Sequence, residues 1–158
     1  MAVKYWLVKS EPSVFSIDDL AKSKNKTTYW DGVRNYQARN FMRDDMEKGD
    51  YVLFYHSNTE PNAVVGVCKV VKEGYPDFTA FDPNDKHFDP KSKEENPTWI
   101  MVDIKLVKKF KTPATLAEIK ENSKLQAMKL VQRGNRLSVM PVAKKEFNEI
   151  LKMGGISI

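Results

Sequence analysis

Few residues in this chain have the types and spacing to do chemistry, and those few argue for binding more than for catalysis. Asp18-Asp19 and Asp44-Asp45 are paired carboxylates, but adjacent residues on a helix do not face each other, so both pairs read as capping or solvated positions. Cys68 lies between Val67 and Lys69 in a β-branched run, the setting of a buried structural thiol rather than of a nucleophile. His56 ends an apolar run and stands either at a pocket edge or against a backbone N–H. His87 is far from it in sequence, and a single cysteine completes no metal-ligand spacing. Phosphate-loop, G-x-G-x-x-G, nucleophile-elbow and zinc-deaminase patterns are all missing. No catalytic residue, metal ligand or cofactor is assigned.

The stretch from Tyr29 to Phe41, YWDGVRNYQARNF, is different. It gathers aromatic rings, guanidinium groups and side-chain amides in one short span. Trp30 is flanked by Tyr29 and by the polar pair Asp31-Gly32, outside any apolar periodicity. Two readings stand side by side. Trp30 is a core residue with Arg34 and Arg39 on ordinary surface, or it offers a ring to a ligand, where stacking on a nucleobase is worth ~1–3 kcal/mol.

Charge sharpens the question. Residues 1–100 carry 14 Lys and Arg against 16 Asp and Glu, whereas residues 101–158 carry 12 against 5. The whole basic excess of this +5 chain therefore lies in its last third. Such a face suits a polyanion, although solvated lysines on helix exteriors have the same composition. The first residues are too briefly apolar for a signal peptide, and no run approaches the ~20 apolar residues that span a bilayer. A soluble, monomeric protein is expected, cytoplasmic or, in a eukaryote, nuclear, with no membrane partner.

The elements that must position these groups can be read in order. Val3–Val8 is a strand that exits through Lys9-Ser10-Glu11-Pro12. Ser16 and Asp19 form a capping box for a short helix, followed by a basic loop, Lys22–Lys26. Asn35 is an N-cap, with Ala38, Phe41, Met42 and Met46 at helical spacing up to Gly49, and Tyr36, Phe41 and Met42 are assigned to the core. Tyr51–Tyr55 and Ala63–Val71 are apolar strands of a hairpin at the centre of the sheet. Glu73–Pro97 is broken by Gly74 and four prolines, so it reads as a long ordered loop with Tyr75, Phe78, Phe81 and Phe88 to bury. Ile100–Leu106 alternates as a strand, with Trp99 on the other side; Thr115–Glu118 is a second capping box. A short helix carries Leu125, Met128 and Leu130, Leu137–Met140 is a short strand, and an amphipathic helix begins after Pro141. Short helices around mixed strands give an α+β class with a curved or barrel-like sheet.

Tyr5-Trp6-Leu7-Val8-Lys9-Ser10-Glu11-Pro12, Trp30–Met42, Gly49-Asp50 with Phe54-Tyr55-His56-Ser57, Tyr75-Pro76-Asp77, Phe81-Asp82-Pro83, Asp89-Pro90-Lys91-Ser92 and Arg136-Leu137-Ser138-Val139 together resemble the EVE domain family, in order and at matching spacing over almost the whole chain. The resemblance implies one EVE domain over residues 1–158. Its fold would be a PUA-like mixed β pseudo-barrel with short peripheral helices, related to the YTH readers of methylated adenine.

It also implies a non-catalytic nucleic-acid-binding module that reads a modified base, either modified cytosine in DNA or a modified RNA base, flipped into an aromatic pocket. By the same resemblance Lys9 and Ser10 contact base or backbone, Trp30 stacks on the base, and Ser57 and Asn58 occupy a polar turn. Asn35, Ser10 and Ser57 would read the base edge, and Tyr75 or Phe81 would complete a cage. Arg34, Arg39, Arg133 and Arg136 would hold phosphates. The rival expectation is an enzyme or small-metabolite binder acting on a nucleotide-like ligand in the same pocket, with Asp31, His56 or Asp77 as acid or base. A third is a protein adaptor with an apolar patch between Tyr75 and Phe88.

Overall fold

The structure is a computed structural model and describes residues 2–158. Six strands form one sheet in the order β2-β5-β4-β3-β1-β6. They are β1 (Tyr5–Ser10), β2 (Thr27–Tyr29), β3 (Tyr51–His56), β4 (Ala63–Pro76), β5 (Ile100–Thr115) and β6 (Val139–Val142). Four short helices surround them: α1 (Ile17–Lys22), α2 (Tyr36–Asn40), α3 (Leu116–Glu121) and α4 (Lys144–Met153). The expected α+β class with a mixed sheet and peripheral helices is what is found. No helix of the described residues is long and apolar enough to cross a membrane.

The only parallel pair among the described strands is β1 with β3. A parallel pair needs a crossover, and the chain supplies one through α1, β2 and α2. The consequence is functional. Parallel strands end on the same side, so Lys9 and Ser10 lie opposite Tyr55 and His56, and the turns leaving both strands emerge together. The Ser57 N–H bonds the Ser10 carbonyl at 2.9 Å and locks the two exits.

Both capping boxes form: Ser16 with Asp19 opens α1, and Thr115 with Glu118 opens α3. Asn35 caps α2, accepting the Ala38 N–H at 2.9 Å, and the helix runs on as a π-helical turn over Phe41–Asp45. Cys68 is fully buried, and burial pushes its thiol pKa far up. The Leu125–Leu130 segment is two 3-10 turns rather than one helix.

Other expectations shift. β4 continues to Pro76 and β5 to Thr115, beyond the predicted ends at Val71 and Leu106. The extensions have most of their residues in solvent, so apolar alternation could not mark them. β2 has no counterpart among the expected elements; it is three residues long, and its signal is only Thr-Thr-Tyr. Tyr36 is not core. Standing at the first position of α2, it is 62% exposed, with its ring stacked on Trp99 at 5.0 Å. Met42 is buried and Phe41 partly so.

Candidate functional site

The paired exits of β1 and β3 form one wall of an open cleft of about 680 Å³. Lys9, Ser10, Glu11, Ser57 and Asn58 come from those exits, Val14 and Phe15 from the segment before α1, and Thr28 to Val33 from β2 and the turn after it. Lys86 and His87 descend from the β4–β5 connection, and Arg136 and Ser138 from the segment before β6. Aromatic rings, hydroxyls, an amide and three cations thus surround two carboxylates, Glu11 and Asp31. The lining suits a planar polar ring attached to an anion.

Trp30 is held at the base of this cleft. Its backbone N–H extends the β2–β5 ladder to the Val102 carbonyl at 2.7 Å, and its ring packs edge-on against Phe54, 5.5 Å between centroids. Only 8% of the residue stays exposed. Trp6 and Trp99 give their indole N–H groups to Asp50 and Asp89 at 3.0 and 2.7 Å. The Trp30 N–H meets no acceptor among the described residues, yet it is not a sealed orphan, because only His87 Nδ1 is both buried and unpartnered there. Trp30 is therefore both core and cleft.

Beside it, Asp77 fastens the long β4–β5 connection to the cleft wall. The carboxylate is fully buried. Its Oδ2 accepts from the Gly32 N–H at 2.9 Å and from Arg34 Nη1 at 3.0 Å, while Oδ1 accepts from the Thr79 N–H at 2.9 Å and its hydroxyl at 2.5 Å. Burial alone would raise its pKa, but hydrogen bonds from Thr79, Gly32 and Arg34 outweigh burial and hold it below the ordinary value. Arg34 also bonds the His87 carbonyl at 2.6 Å and lies over Trp99. Gly32 is at φ +79°, and a Cβ there would sit 2.5 Å from the His87 ring. Only glycine lets the imidazole close on the backbone. His87 Nδ1 lies 3.3 Å from Asp31 and 3.5 Å from Asp85 without hydrogen-bond geometry.

On the opposite wall, partial burial lowers the Lys9 pKa. Its Nζ stands 6.0 Å from the ring centre of Tyr55, whose hydroxyl burial pushes up to about 12. The Ser10 hydroxyl donates to the Phe15 carbonyl and Asn58 to Glu11. No group of His, Cys, Asp or Glu among the described residues could hold a metal ion.

Residues 4–153 match the EVE domain. The chain belongs to the EVE domain family. It is 46% identical to rat thymocyte nuclear protein 1 over 166 residues, which covers 94% of this chain and 73% of that protein. Among solved structures, a hypothetical protein from Leishmania major is 53% identical with a TM-score of 0.90, covering 98% of this chain and 96% of that one. The human THYN1 protein, solved in complex with 5-methylcytosine containing DNA, is 43% identical with a TM-score of 0.90, covering 98% and 99%. This EVE domain therefore has the PUA-like fold of its neighbours.

The residues expected at the site divide in two. Lys9, Ser10, Trp30, Ser57, Asn58 and Arg136 line the cleft of the EVE domain. Arg34, Asn35, Arg39, Arg133, Tyr75 and Phe81 do not. Arg34 is tied to Asp77, and Asn35 uses its side-chain oxygen to cap α2. Arg39 bonds the Thr98 carbonyl at 2.6 Å and lies over Tyr36 and Trp99. Tyr75 donates its hydroxyl to Asp103 at 2.5 Å, Phe81 ends a 3-10 turn, and Arg133 sits exposed in a turn. For Arg34, Asn35, Arg39 and Tyr75, internal partners have taken groups that a one-dimensional reading offers to a ligand. Of the residues weighed as acid or base, Asp31 lines the cleft, while His56 and Asp77 are engaged within the fold. His56 Nε2 accepts the Ile17 N–H at 3.1 Å, and every Asp77 oxygen is engaged.

Phe15, Lys86, His87 and Ser138 were overlooked as lining. Ser138 lies inside a recognised motif, and Phe15 three residues beyond another. Lys86 and His87 had no signal but their place in a long loop.

Proposed function

We propose that this EVE domain is a reader of a modified cytosine in DNA, held as a single flipped base in the cleft beside Trp30. The observation that carries the reading is the cleft itself: its aromatic base, its hydrogen-bonding strand ends and its rim of Lys9, Lys86 and Arg136. The human THYN1 protein, described in complex with 5-methylcytosine containing DNA, supports it.

Trp30 would form the floor and offer its free indole N–H. Phe15, Tyr29 and His87 would form the side walls in place of Tyr75 or Phe81. The Ser10 oxygen, the Ser57 hydroxyl and the Asn58 carbonyl remain able to accept from the exocyclic amine of a cytosine. Arg136, Lys86 and Lys9 would meet phosphate, so affinity should fall as salt rises.

The test is fluorescence anisotropy with two oligonucleotides that differ only in one 5-methylcytosine. Trp30→Ala would remove a buried ring at a cost of about 3–5 kcal/mol in stability, so Trp30→Phe and the exposed-side-chain variant Arg136→Gln serve better. The wild type should prefer the methylated strand, Trp30→Phe should shrink that preference, and Arg136→Gln should weaken binding to both. Equal affinity for both strands, unaltered by Trp30→Phe, would overturn the reading. An RNA carrying the same base, titrated alongside, identifies the preferred polymer.

A further inference from the structure

The cleft does not end at its rim. Tyr29, which lines it, is 45% exposed and leads onto the outer face of the sheet. Directly paired residues on neighbouring strands point to the same face. One row across that face is Tyr51, Lys69, Lys105 and Thr27; the next is Lys72, Asp103 and Tyr29. The rows are two residues apart on β5, roughly 7 Å at the ordinary strand rise. At the β1–β3 end α4 covers this face, with Phe147 packed on Tyr5 and Tyr51 at 4.5 and 5.7 Å. Towards β2 the residues Lys69, Lys72, Lys105 and Tyr29 are exposed.

This uncovered part interleaves cations with rings. Lys72 Nζ is 3.8 Å from the centre of the Tyr75 ring, and Lys69 Nζ is 5.8 Å from that of Tyr51. Phe78, 50% exposed, meets Tyr29 edge-on at 5.0 Å. Among the described residues Lys69, Lys72 and Lys105 form no ion pair with a carboxylate. Asp103, the carboxylate within the second row, already accepts the Tyr75 hydroxyl at 2.5 Å. Free lysines with aromatic rings at nucleotide scale, continuous with a nucleotide-sized cleft, match a nucleic-acid strand in charge and shape.

We propose that the outer face of β4, β5 and β2 binds the DNA strand flanking the cleft nucleotide. The neighbouring base stacks on Tyr29, which Phe78 braces, and the following phosphates run over Lys72, Lys105 and Lys69. The proposal rests on the cleft being a nucleotide site. It supplies backbone contacts in place of Arg34 and Arg39, which the fold engages internally.

The test compares a methylcytosine-containing trinucleotide with a dodecamer holding the same centre, titrated at several salt concentrations. Lys69→Gln/Lys72→Gln/Lys105→Gln changes only exposed side chains. It should bind the trinucleotide like wild type and the dodecamer at least tenfold more weakly, with a log–log salt slope smaller by about 2–3. Tyr29→Ala should weaken dodecamer binding roughly tenfold. Lys111→Gln/Lys120→Gln/Lys124→Gln, an equal charge change outside the stripe, should leave both affinities alone. If that control falls as far as the stripe variant, net charge explains the effect and the proposal is wrong. If the stripe variant matches wild type on the dodecamer while Trp30→Phe still loses discrimination, the stripe is refuted and the cleft reading stands. If wild type shows no methylcytosine-dependent binding to either probe, both fall together.

Discussion

Truncating Asp77 should unfasten the cleft wall. Asp77→Ala removes a fully buried carboxylate that accepts from the Gly32 and Thr79 N–H groups at 2.9 Å each, from the Thr79 hydroxyl and from Arg34. The Thr79 hydroxyl can rotate to another partner, and the Arg34 side chain, 25% exposed, can regain water. The two backbone donors cannot move without the chain. Each unsatisfied buried donor costs about 1–3 kcal/mol, and loss of one partner from a buried ion pair costs about 3–5 kcal/mol. Allowing for water entering the void, the expected loss is about 3–4 kcal/mol. For a chain of this size that lowers Tm by roughly 10 °C. Urea unfolding followed by tryptophan fluorescence measures it, with an unchanged m-value showing that two-state behaviour persists. Asp77→Asn keeps one acceptor oxygen and should lose about half as much. In a double-mutant cycle with Arg34→Ala the two losses should be strongly non-additive. An Asp77→Ala loss below about 1 kcal/mol, or additive losses, would refute the idea that this carboxylate fastens the connection to the cleft.

Two further outcomes follow from the same geometry. Gly32→Ala places a Cβ 2.5 Å from the His87 ring at a backbone φ of +79°, so it should cost about 2–4 kcal/mol in strain and displacement; an NMR spectrum with the His87 imidazole resonances unmoved would contradict the close approach. His56 is held neutral: burial lowers its pKa, and Nε2 accepts the Ile17 N–H. The unfolded chain therefore binds the proton first, so His56 contributes stability that is complete above about pH 6.5 and lost as pH falls through the lower folded value. In His56→Gln the decline below about pH 6.5 should flatten; an identical pH profile for both proteins would remove His56 as its cause.

Much of the scaffold was legible in one dimension. Ser16 with Asp19, Thr115 with Glu118 and Asn35 before α2 announce helix starts because a cap is a local hydrogen bond between residues three apart. The β3–β4 hairpin announces itself through near-continuous apolar runs, since most side chains of β3 and of the first half of β4 are buried. The family resemblance, carried by motifs such as Trp30–Met42, brought with it the mixed sheet and the six cleft residues it shares with the expected set.

What the sequence alone determined, then, was the identity of the domain, most of its elements and the gathering of rings, guanidinium groups and amides between Tyr29 and Phe41. Tertiary structure decided which members of that stretch remain available. Arg34, Asn35 and Arg39 carry the chemistry of ligand-binding groups, but partners distant or local claim them: Asp77, the α2 N-terminus and the Thr98 carbonyl. Conversely, His87 reaches the cleft only because Asp77 and Gly32 fold the long connection back onto it, and Lys69, Lys72 and Lys105 share a face only through strand register. A hydrogen bond between residues that lie more than forty positions apart leaves no periodicity in the chain, so whether a polar side chain serves the fold or a ligand is settled by packing.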